Sequence, residues 1–287
     1  MTEKLMLMPS EIARMEEARQ ARAMTELGAI HERIMGGVMA YLEPGSWANQ
    51  ACGIGMGGKV SQDEVDRLVA FYESRGVEPR AEVAQFADES LLSAMANHQF
   101  ELRQFETVLA RLLHEGEQID PVPAQGWPVD ADGNELVIEA VNAADETLVL
   151  ESWRVAMSGF LPEPREPTEK ELAMHRTILA HPHSEYLVAK FGDTIVGAGA
   201  AEYPRGDDIP VGVLFGVSVL DVYRRRGVQQ ALILHRVRGA QQRGAKVVVI
   251  HSLPDASTDR NSMRLGFGPC YTKAIMAKKG EGLVPSP

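Results

Sequence analysis

Residues 211–232 place the strongest constraint on what this chain can fold into. An apolar, strand-like run ends in the basic turn Arg224-Arg225-Arg226-Gly227, and a helical pattern begins at Val228. A turn of this kind directs unpaired N–H groups and the positive end of a helix dipole outward, which favours an anion. Arginine forks add charge-assisted contacts that suit a diphosphate. Three arginines at an isolated turn more often form a solvated surface, so the inference depends on the flanking strand and helix.

The composition indicates a globular protein. The chain has 287 residues, of which 45% are hydrophobic and 24% are charged, and this length suits two modest domains. No apolar run approaches the roughly 20 residues that a membrane helix needs, and the start of the chain lacks the apolar region of a signal peptide. We therefore expect a cytoplasmic protein that has no membrane partner.

The charge of −11 lies entirely in the first part of the chain. Residues 1–134 hold 11 basic and 22 acidic side chains, whereas residues 135–287 hold 18 of each. Nucleic-acid binding depends on neutralising phosphates, so we expect no nucleic-acid partner. Cys52 and Cys270 have no further cysteine at metal-ligand spacing, which predicts reduced thiols and no metal site.

Local signals predict most of the helices and strands. Ser10 is the expected N-cap of the first helix, and Ser61 with Glu64 forms a capping box for the second. The predicted helices cover 9–27, 61–75, 88–97, 144–158, 167–179 and 228–243. The predicted strands include 80–86, 100–113, 136–141, 185–191, 194–202, 211–220 and 246–251. Antiparallel strands followed by strands that alternate with helices indicate a mixed α/β (α+β) fold.

The same order of elements occurs twice along the chain, which indicates an internal repeat. A helix that ends at Gly76 precedes a strand, and a second strand begins near Phe100. The helix that ends at Gly244 is followed by the same series, with the last strand near Phe267. In this alignment the basic turn falls on residues 56–59, Met-Gly-Gly-Lys, so the first copy lacks the arginines.

The second copy resembles the GNAT superfamily of acetyl-CoA-dependent N-acetyltransferases. Val217-x-Val219 and Arg224-x-x-Gly227 match its main motif, and Gln229 departs from the small residue that is usual there. The resemblance continues in three further segments, which are Arg243-Gly244-Ala245, Ser257-x-x-Arg260-Asn261-x-x-Arg264-Leu265-Gly266-Phe267 and Tyr271. It covers about residues 135–280, and the first half resembles the degenerate copy of tandem GNAT proteins. It implies two GNAT-like domains with mixed, mostly antiparallel sheets, at 1–120 (degenerate) and 135–282 (complete), joined by a linker at 121–134.

The resemblance implies that a neutral amine attacks the thioester of acetyl-CoA directly. The strand at 217–219 would bind the pantetheine arm as an added strand, and the amide near Val219 or Leu220 would polarise the thioester carbonyl. The basic turn would hold the diphosphate. The cofactor-binding residues that it implies are Val217, Ser218, Val219, Arg224, Arg225, Arg226, Gly227, Val228, Gln229, Gln230, Ala231, Ser257 and Asn261.

The groups that move protons are less well defined. Many GNAT enzymes carry a tyrosine general acid three residues before Leu-Gly-Phe, and this chain has Ser262 there. We take Tyr271 as the substitute acid, although a half-buried strand aromatic is the plainer interpretation. His251 and Glu202 are the candidate bases, and histidine is the side-chain type whose ordinary pKa suits this role. A satisfied structural histidine is the alternative for His251.

Other readings remain. A non-catalytic acyl-CoA-binding or regulatory module would keep the cofactor turn and lose the chemistry, and a structural interaction protein would bind no CoA. The expected acceptor is a small-molecule amine, cationic because the first half is acidic, and the protein is expected to be a monomer or homodimer. The glycines of 53–58 favour a flexible turn over dinucleotide binding, and His181-x-His183 favours a loop over a metal site.

Overall fold

The computed structural model describes residues 7–206 and 210–285. Its elements follow the chain in this order: α1 Pro9–Glu26, β1 Ile30–Ile34, β2 Gly37–Tyr41, β3 Gln50–Cys52, α2 Gln62–Glu73, β4 Arg80–Ala84, α3 Glu89–Asn97, β5 Glu101–Leu112, β6 Leu136–Ala140, α4 Glu146–Met157, α5 Glu169–Ala180, β7 Ser184–Phe191, β8 Thr194–Glu202, β9 Val211–Val219, a 3-10 turn Asp221–Tyr223, α6 Val228–Gln242, β10 Val247–Ser252, α7 Ser257–Arg264 and β11 Gly268–Ala277. The predicted mixed α/β class is confirmed. None of the helices within the described residues combines the length and apolarity that crossing a membrane requires.

The helix caps show where local signals succeed. Ser61 accepts a hydrogen bond from the Glu64 amide, and the Glu64 carboxylate accepts one from the Ser61 amide, so the predicted capping box is confirmed. The predicted cap at Ser10 is wrong. Helix α1 begins at Pro9, as its predicted range does, because proline is suited to the first helical position, and the N-cap is Met8, two residues before Ser10.

The chain forms two compact units, and each is described by itself. Among the described residues, the first unit holds 7–108, 252–254 and 269–285, and the second holds 109–206, 210–251 and 255–268. These boundaries differ from the predicted ones. Strand β11, the last strand of the predicted second copy, belongs to the first unit, whereas the end of β5 and the predicted linker at 121–134 belong to the second.

In the first unit, antiparallel strands β1, β2 and β3 are followed by β4, which is parallel to β3. Strand β11 pairs with β4 and runs antiparallel to it, with Lys273 opposite Ala84. Helix α2 contributes Leu68 and Tyr72, and α3 contributes Leu91 and Met95, to the apolar core cluster of this unit.

Helix α1 contacts the sheet of the first unit with charged residues. Lys273 of β11 is fully buried, and its Nζ lies 2.8 Å from Glu17 Oε1 and 3.4 Å from Glu82 Oε2. Burial alone would lower the pKa of the Lys273 ammonium, but these two carboxylates raise it. Lys273 is therefore held in its charged form inside the unit.

In the second unit, β6, β7, β8 and β9 form an antiparallel series, and β10 is parallel to β9. One face of this sheet carries α6, whose Ala231 and Leu232 pack with Leu187, Val196 and Val219. The other face carries α4 and α5, which pack on Tyr186, Val188 and Ala198. Strands β9 and β10 are parallel and are connected through α6, and the basic turn lies between β9 and α6.

A buried histidine joins α4 to α5 and predicts acid sensitivity. His175 Nε2 lies 3.0 Å from Ser152 Oγ, and burial lowers the pKa of His175 to about 4. Because the unfolded chain binds this proton near pH 6.5, the stability that the neutral ring contributes is complete above that pH. It is lost as pH falls towards 4, and we expect the free energy of unfolding to drop by about 3 kcal/mol over this window.

Urea unfolding measured between pH 4 and 7 checks this prediction. His175→Gln removes the titration, so its curve should be shallower than that of the parent chain. His31→Gln, at an exposed position on β1, is the matched control and should leave the slope unchanged. Equal slopes for all three proteins would contradict the assignment.

Candidate functional site

Strand β9 carries a bulge near its middle. Ala200 of β8 pairs with Phe215, and Ala198 pairs with Ser218, so β9 has one residue more than β8 between these two pairs. The extra residue lies at Gly216–Val217, and Gly216 has a φ of +59°. Glycine adopts this left-handed conformation without the steric cost that a side chain would add.

Strands β9 and β10 diverge next to this bulge. Their parallel register runs from Val211 opposite Val247 to Leu214 opposite Ile250, although β9 continues to Val219. Backbone groups on the β10 side of the last part of β9 therefore face a gap. An extended ligand can enter such a gap and pair with β9 as an additional strand.

One amide of β9 is directed into this gap. The Leu220 amide donates to Val196 O at 2.9 Å, so it is occupied on the β8 side. Val219 is opposite Gly197, and N–H groups alternate between the two sides of a strand. The Val219 amide therefore faces away from β8, which distinguishes between the two amides that the sequence left open.

The basic turn connects β9 to α6 through two left-handed residues. Arg225 has a φ of +61° and Gly227 a φ of +85°. Helix α6 begins at Val228, and its N-cap, Gly227, has no side chain to occupy the amides of the first turn. A side chain at Gly227 would also collide with Gln125, because a Cβ there would lie 2.6 Å from Gln125 Nε2.

The three arginines of the turn differ in their surroundings. Arg224 Nε donates to Val219 O at 3.1 Å, and its guanidinium pairs with Asp221 at 2.7 Å. Arg225 and Arg226 are exposed, and the Arg226 guanidinium lies 5.6 Å from the centre of the Tyr223 ring. Arg224 thus braces the turn on β9, whereas Arg225 and Arg226 present their charge to solvent.

Two glutamines of α6 contact α7. Gln229 Nε2 donates to Thr258 Oγ1 at 2.9 Å, and Gln229 Oε1 accepts from Asn261 Nδ2 at 2.6 Å. Gln230 Nε2 donates to Asn261 Oδ1 at 3.3 Å. These contacts give a physical reason for Gln229 where the family has a small residue, because the side chain connects α6 to α7 and extends away from the turn. Ser257 is the first residue of α7.

The two candidate bases lie at different places along the sheet. Glu202 is opposite Val213, and Gly197 is opposite Val219. Five residues of β8 separate Glu202 from Gly197, so Glu202 lies about 17 Å along the strand from the level of Val219. His251 comes directly after Ile250, the last residue of β10 in register with β9, and so lies where the two strands begin to diverge.

Glu202 and Tyr271 are both buried and engaged with other groups. Glu202 Oε1 pairs with Arg205 at 3.2 Å. Tyr271 belongs to the first unit, where its hydroxyl donates to Glu17 Oε1 at 2.8 Å. Burial and the Glu17 charge raise the pKa of the Tyr271 hydroxyl well above its usual value. Ser262 Oγ, on α7, is buried and has no hydrogen-bond partner among the described residues.

Sequence reasoning missed two groups next to β9. Ser158, at the end of α4, lies 3.0 Å from Ser218, oxygen to oxygen, and a Cβ on Gly159 would come 2.7 Å from Ser218 Oγ. Arg236 of α6 is fully buried and donates to carbonyls of β8 and β9. A buried arginine inside an amphipathic helix has no signature in sequence. The pair Ser158-Gly159 at the end of a predicted helix is a signal that could have indicated close packing there.

Comparison with known proteins agrees with this geometry. The family model for the acetyltransferase (GNAT) family matches residues 149–267. A comparison with curated protein sequences finds no match.

Two solved structures with the same fold cover nearly the whole chain, and a third covers about two thirds of it. A GCN5-related N-acetyltransferase from Kribbella flavida is 17% identical and has a TM-score of 0.63, with 92% of this chain and 96% of that chain covered. A putative GNAT-family acetyltransferase from Novosphingobium aromaticivorans is 14% identical, with a TM-score of 0.54 and coverages of 93% and 98%. A tandem GNAT protein from the clavulanic acid biosynthesis pathway is 14% identical, with a TM-score of 0.53 and coverages of 71% and 65%.

The match in sequence includes the bulged strand β9, the basic turn, α6, β10 and α7, and the fold of the whole chain agrees with the solved structures. This chain therefore contains, over residues 149–267, an acetyltransferase domain of the GNAT family.

Proposed function

We propose that the protein transfers an acetyl group from acetyl-CoA to a primary amine of a small molecule by direct attack. The observation that supports this most is the gap between β9 and β10, which leads to a basic turn at the uncapped start of α6. A strand-like pantetheine arm would use the gap, and a diphosphate would use the basic turn. Acetyl-CoA would supply the activated acyl group.

Different residues of the proposed site would bind different parts of acetyl-CoA. Val217, Ser218 and Val219 border the gap and would contact the pantetheine arm, together with Ser257 and Asn261 of α7. The exposed guanidinium groups of Arg225 and Arg226, with the first-turn amides of α6, would hold the diphosphate. Arg224 would stabilise the conformation of the turn and not bind the diphosphate, because Asp221 and the Val219 carbonyl already engage its guanidinium.

The Val219 amide is the proposed donor to the thioester oxygen. It faces the gap, and negative charge develops on that oxygen as the amine attacks. Such a donor acts best when its direction is fixed before the reaction. The Leu220 amide stays on the β8 side, bonded to Val196.

We propose His251 as the general base. It lies at the point where β9 and β10 diverge, whereas Glu202 lies about 17 Å along β8 from the level of Val219. That separation argues against Glu202. Tyr271 has a raised pKa and donates to Glu17, which argues against it as the acid that protonates the leaving thiolate. With Ser262 at the usual tyrosine position, we propose that water protonates the thiolate.

His251→Gln should flatten the acidic limb of the pH–rate profile. The group whose deprotonation starts the reaction is then missing, and kcat should fall by about 10²–10⁴ at neutral pH, the usual contribution of a general base. Steady-state kinetics from pH 5.5 to 9 check this, with Glu202→Gln as the comparison. An unaltered limb in His251→Gln would contradict the assignment.

The acceptor is proposed to be a small cationic amine. The first 134 residues carry 22 acidic and 11 basic side chains, so the field of the chain favours a positive ligand. The experiment is to incubate the protein with acetyl-CoA and a panel of aliphatic diamines, amino acids and amino sugars, and to measure free thiol as CoA is released. Amine-dependent release above the rate of acetyl-CoA hydrolysis supports the proposal.

A specific observation favours a second candidate, a non-catalytic acyl-CoA-binding module. Neither Ser262 nor Tyr271 offers a free phenol as a proton donor. Tight CoA binding by calorimetry, with no turnover across the amine panel, would favour this candidate over the enzyme. Absence of CoA binding would contradict both.

A further inference from the structure

Arg236 of α6 is buried in the second unit with only 1% of its surface exposed. Its Nε donates to Leu232 O at 3.0 Å, and one terminal nitrogen donates to Ala200 O at 2.9 Å and to Phe215 O at 3.3 Å. The other terminal nitrogen is buried and has no hydrogen-bond partner among the described residues. Arg236 thus places a guanidinium against backbone oxygens of both β8 and β9.

This arrangement is costly for a purely structural side chain. Among the described residues, the guanidinium contacts carbonyl oxygens, and no carboxylate is paired with it. A buried charge without a counter-ion loses its hydration, and here burial lowers the pKa of Arg236 to about 10. Methionine would fill much of the same space without that cost, so packing alone gives no reason for an arginine.

The carbonyls that Arg236 contacts border the bulge of β9. Ala200 and Phe215 are the paired residues directly before the extra residue of β9. The guanidinium also covers Gly199, since a Cβ there would lie 3.0 Å from the Arg236 Cζ. Arg236 therefore bridges the two strands at the one place where their register shifts.

The bulge decides which amides of β9 face the gap. Successive residues of a strand point to opposite sides, so a register change of one residue reverses every N–H that follows it. Without the bulge, the Val219 amide would turn towards β8 and another amide would face the gap. The direction of Val219 thus depends on a stable bulge.

We propose that Arg236 is a positioning residue that fixes the bulge of β9, and with it the Val219 amide, relative to α6. This rests on the proposed function, in which Val219 donates to the thioester oxygen. Arg236 belongs to α6, the helix that follows the basic turn. It contacts no reacting atom itself.

The test compares Arg236→Met and Arg236→Lys with Arg238→Met, a matched control at an exposed position of the same helix. We expect Arg236→Met to lower kcat by about 10²-fold, the usual effect of losing one oxyanion donor. The Kd for CoA should stay unchanged, because the basic turn is intact. Arg236→Lys retains the charge and one donor and should have an intermediate kcat, while Arg238→Met should match the parent protein.

Hydrogen exchange of the amides at 215–220, measured without any ligand, gives a second readout. Arg236→Met should exchange faster there than the parent protein, and exchange in β7 should be the same in both. A kcat equal to that of Arg238→Met, or a parallel loss of kcat and CoA affinity, would overturn the proposal. If the parent protein binds no CoA, the proposed function fails, and unchanged exchange at 215–220 would separately overturn the role of Arg236.

Discussion

Replacing Arg225 and Arg226 together by alanine is expected to weaken acetyl-CoA binding at least about a hundredfold. Each charge-assisted hydrogen bond to a phosphate contributes about 1.5–3 kcal/mol, so two together correspond to about 3–6 kcal/mol. Both side chains are exposed, and the structure pairs neither with a carboxylate within the described residues. The fold should therefore be unaffected, and isothermal calorimetry measures the change in affinity directly.

The first half of the chain provides the matched control for this experiment. In the repeat that the sequence predicts, Lys59 lies at the position of the basic turn, and Lys59→Ala should leave the affinity unchanged. The same titration should give one CoA per chain. Unchanged affinity in the double arginine variant would mean that the diphosphate binds elsewhere, and two CoA per chain would contradict the degenerate first copy.

Lys273→Met is expected to destabilise the first unit by about 3–5 kcal/mol, the usual cost of removing one partner of a buried ion pair. The substitution leaves the buried Glu17 carboxylate without the Lys273 ammonium, and Glu82 retains Arg80 at 3.7 Å as its other counter-ion. Urea unfolding followed by circular dichroism measures the loss.

The surface residue Lys279 provides the matched control for this experiment. Lys279 pairs with Glu101 at 2.8 Å, but both side chains are more than half exposed. Lys279→Met should therefore cost less than about 1 kcal/mol. If Lys273→Met is as stable as Lys279→Met, the buried network does not hold the unit together. Combining Lys273→Met with Glu17→Gln should recover part of the loss, because one unpaired charge is then removed.

Local patterns in the sequence were sufficient to predict most of the helices and strands and the basic turn. The Ser61–Glu64 capping box and the apolar run of β9 depend on neighbours within a few residues, and such signals are readable along the chain. The basic turn is equally local. The position of each element relative to the motif therefore followed from the sequence, and the GNAT match over residues 149–267 agrees with it.

Features that depend on distant contacts could not be predicted. The sequence offers Tyr271 as the substitute acid, with a half-buried strand aromatic as the plainer interpretation, but Glu17, on a helix at the other end of the chain, engages its hydroxyl. Glu202 ends a strand beside the predicted site in sequence, and only the register with β9 places it about 17 Å along the sheet. Arg236 reads as one of several arginines on α6 until its carbonyl partners are known.

The domain boundaries illustrate the same limit. In the repeat that the sequence predicts, β5 and β11 end the two copies with the same pattern, so nothing local indicates which sheet each strand joins. The sequence therefore predicts that each copy retains its own last strand. In the compact units, β11 lies with β4 in the first unit, and the end of β5 lies with the second.

The position of β11 beside β4 has a consequence for biosynthesis. The partners Ala84 and Lys273 are about 190 residues apart, so β4 cannot pair with β11 until nearly all of the chain has been translated. At about 5–20 residues per second, a ribosome needs about 10–40 s to cover that distance. During this interval the nascent first half exposes an unpaired strand edge, together with the carboxylates that Lys273 later neutralises. Chaperone protection would matter most for the half of the protein that is made first.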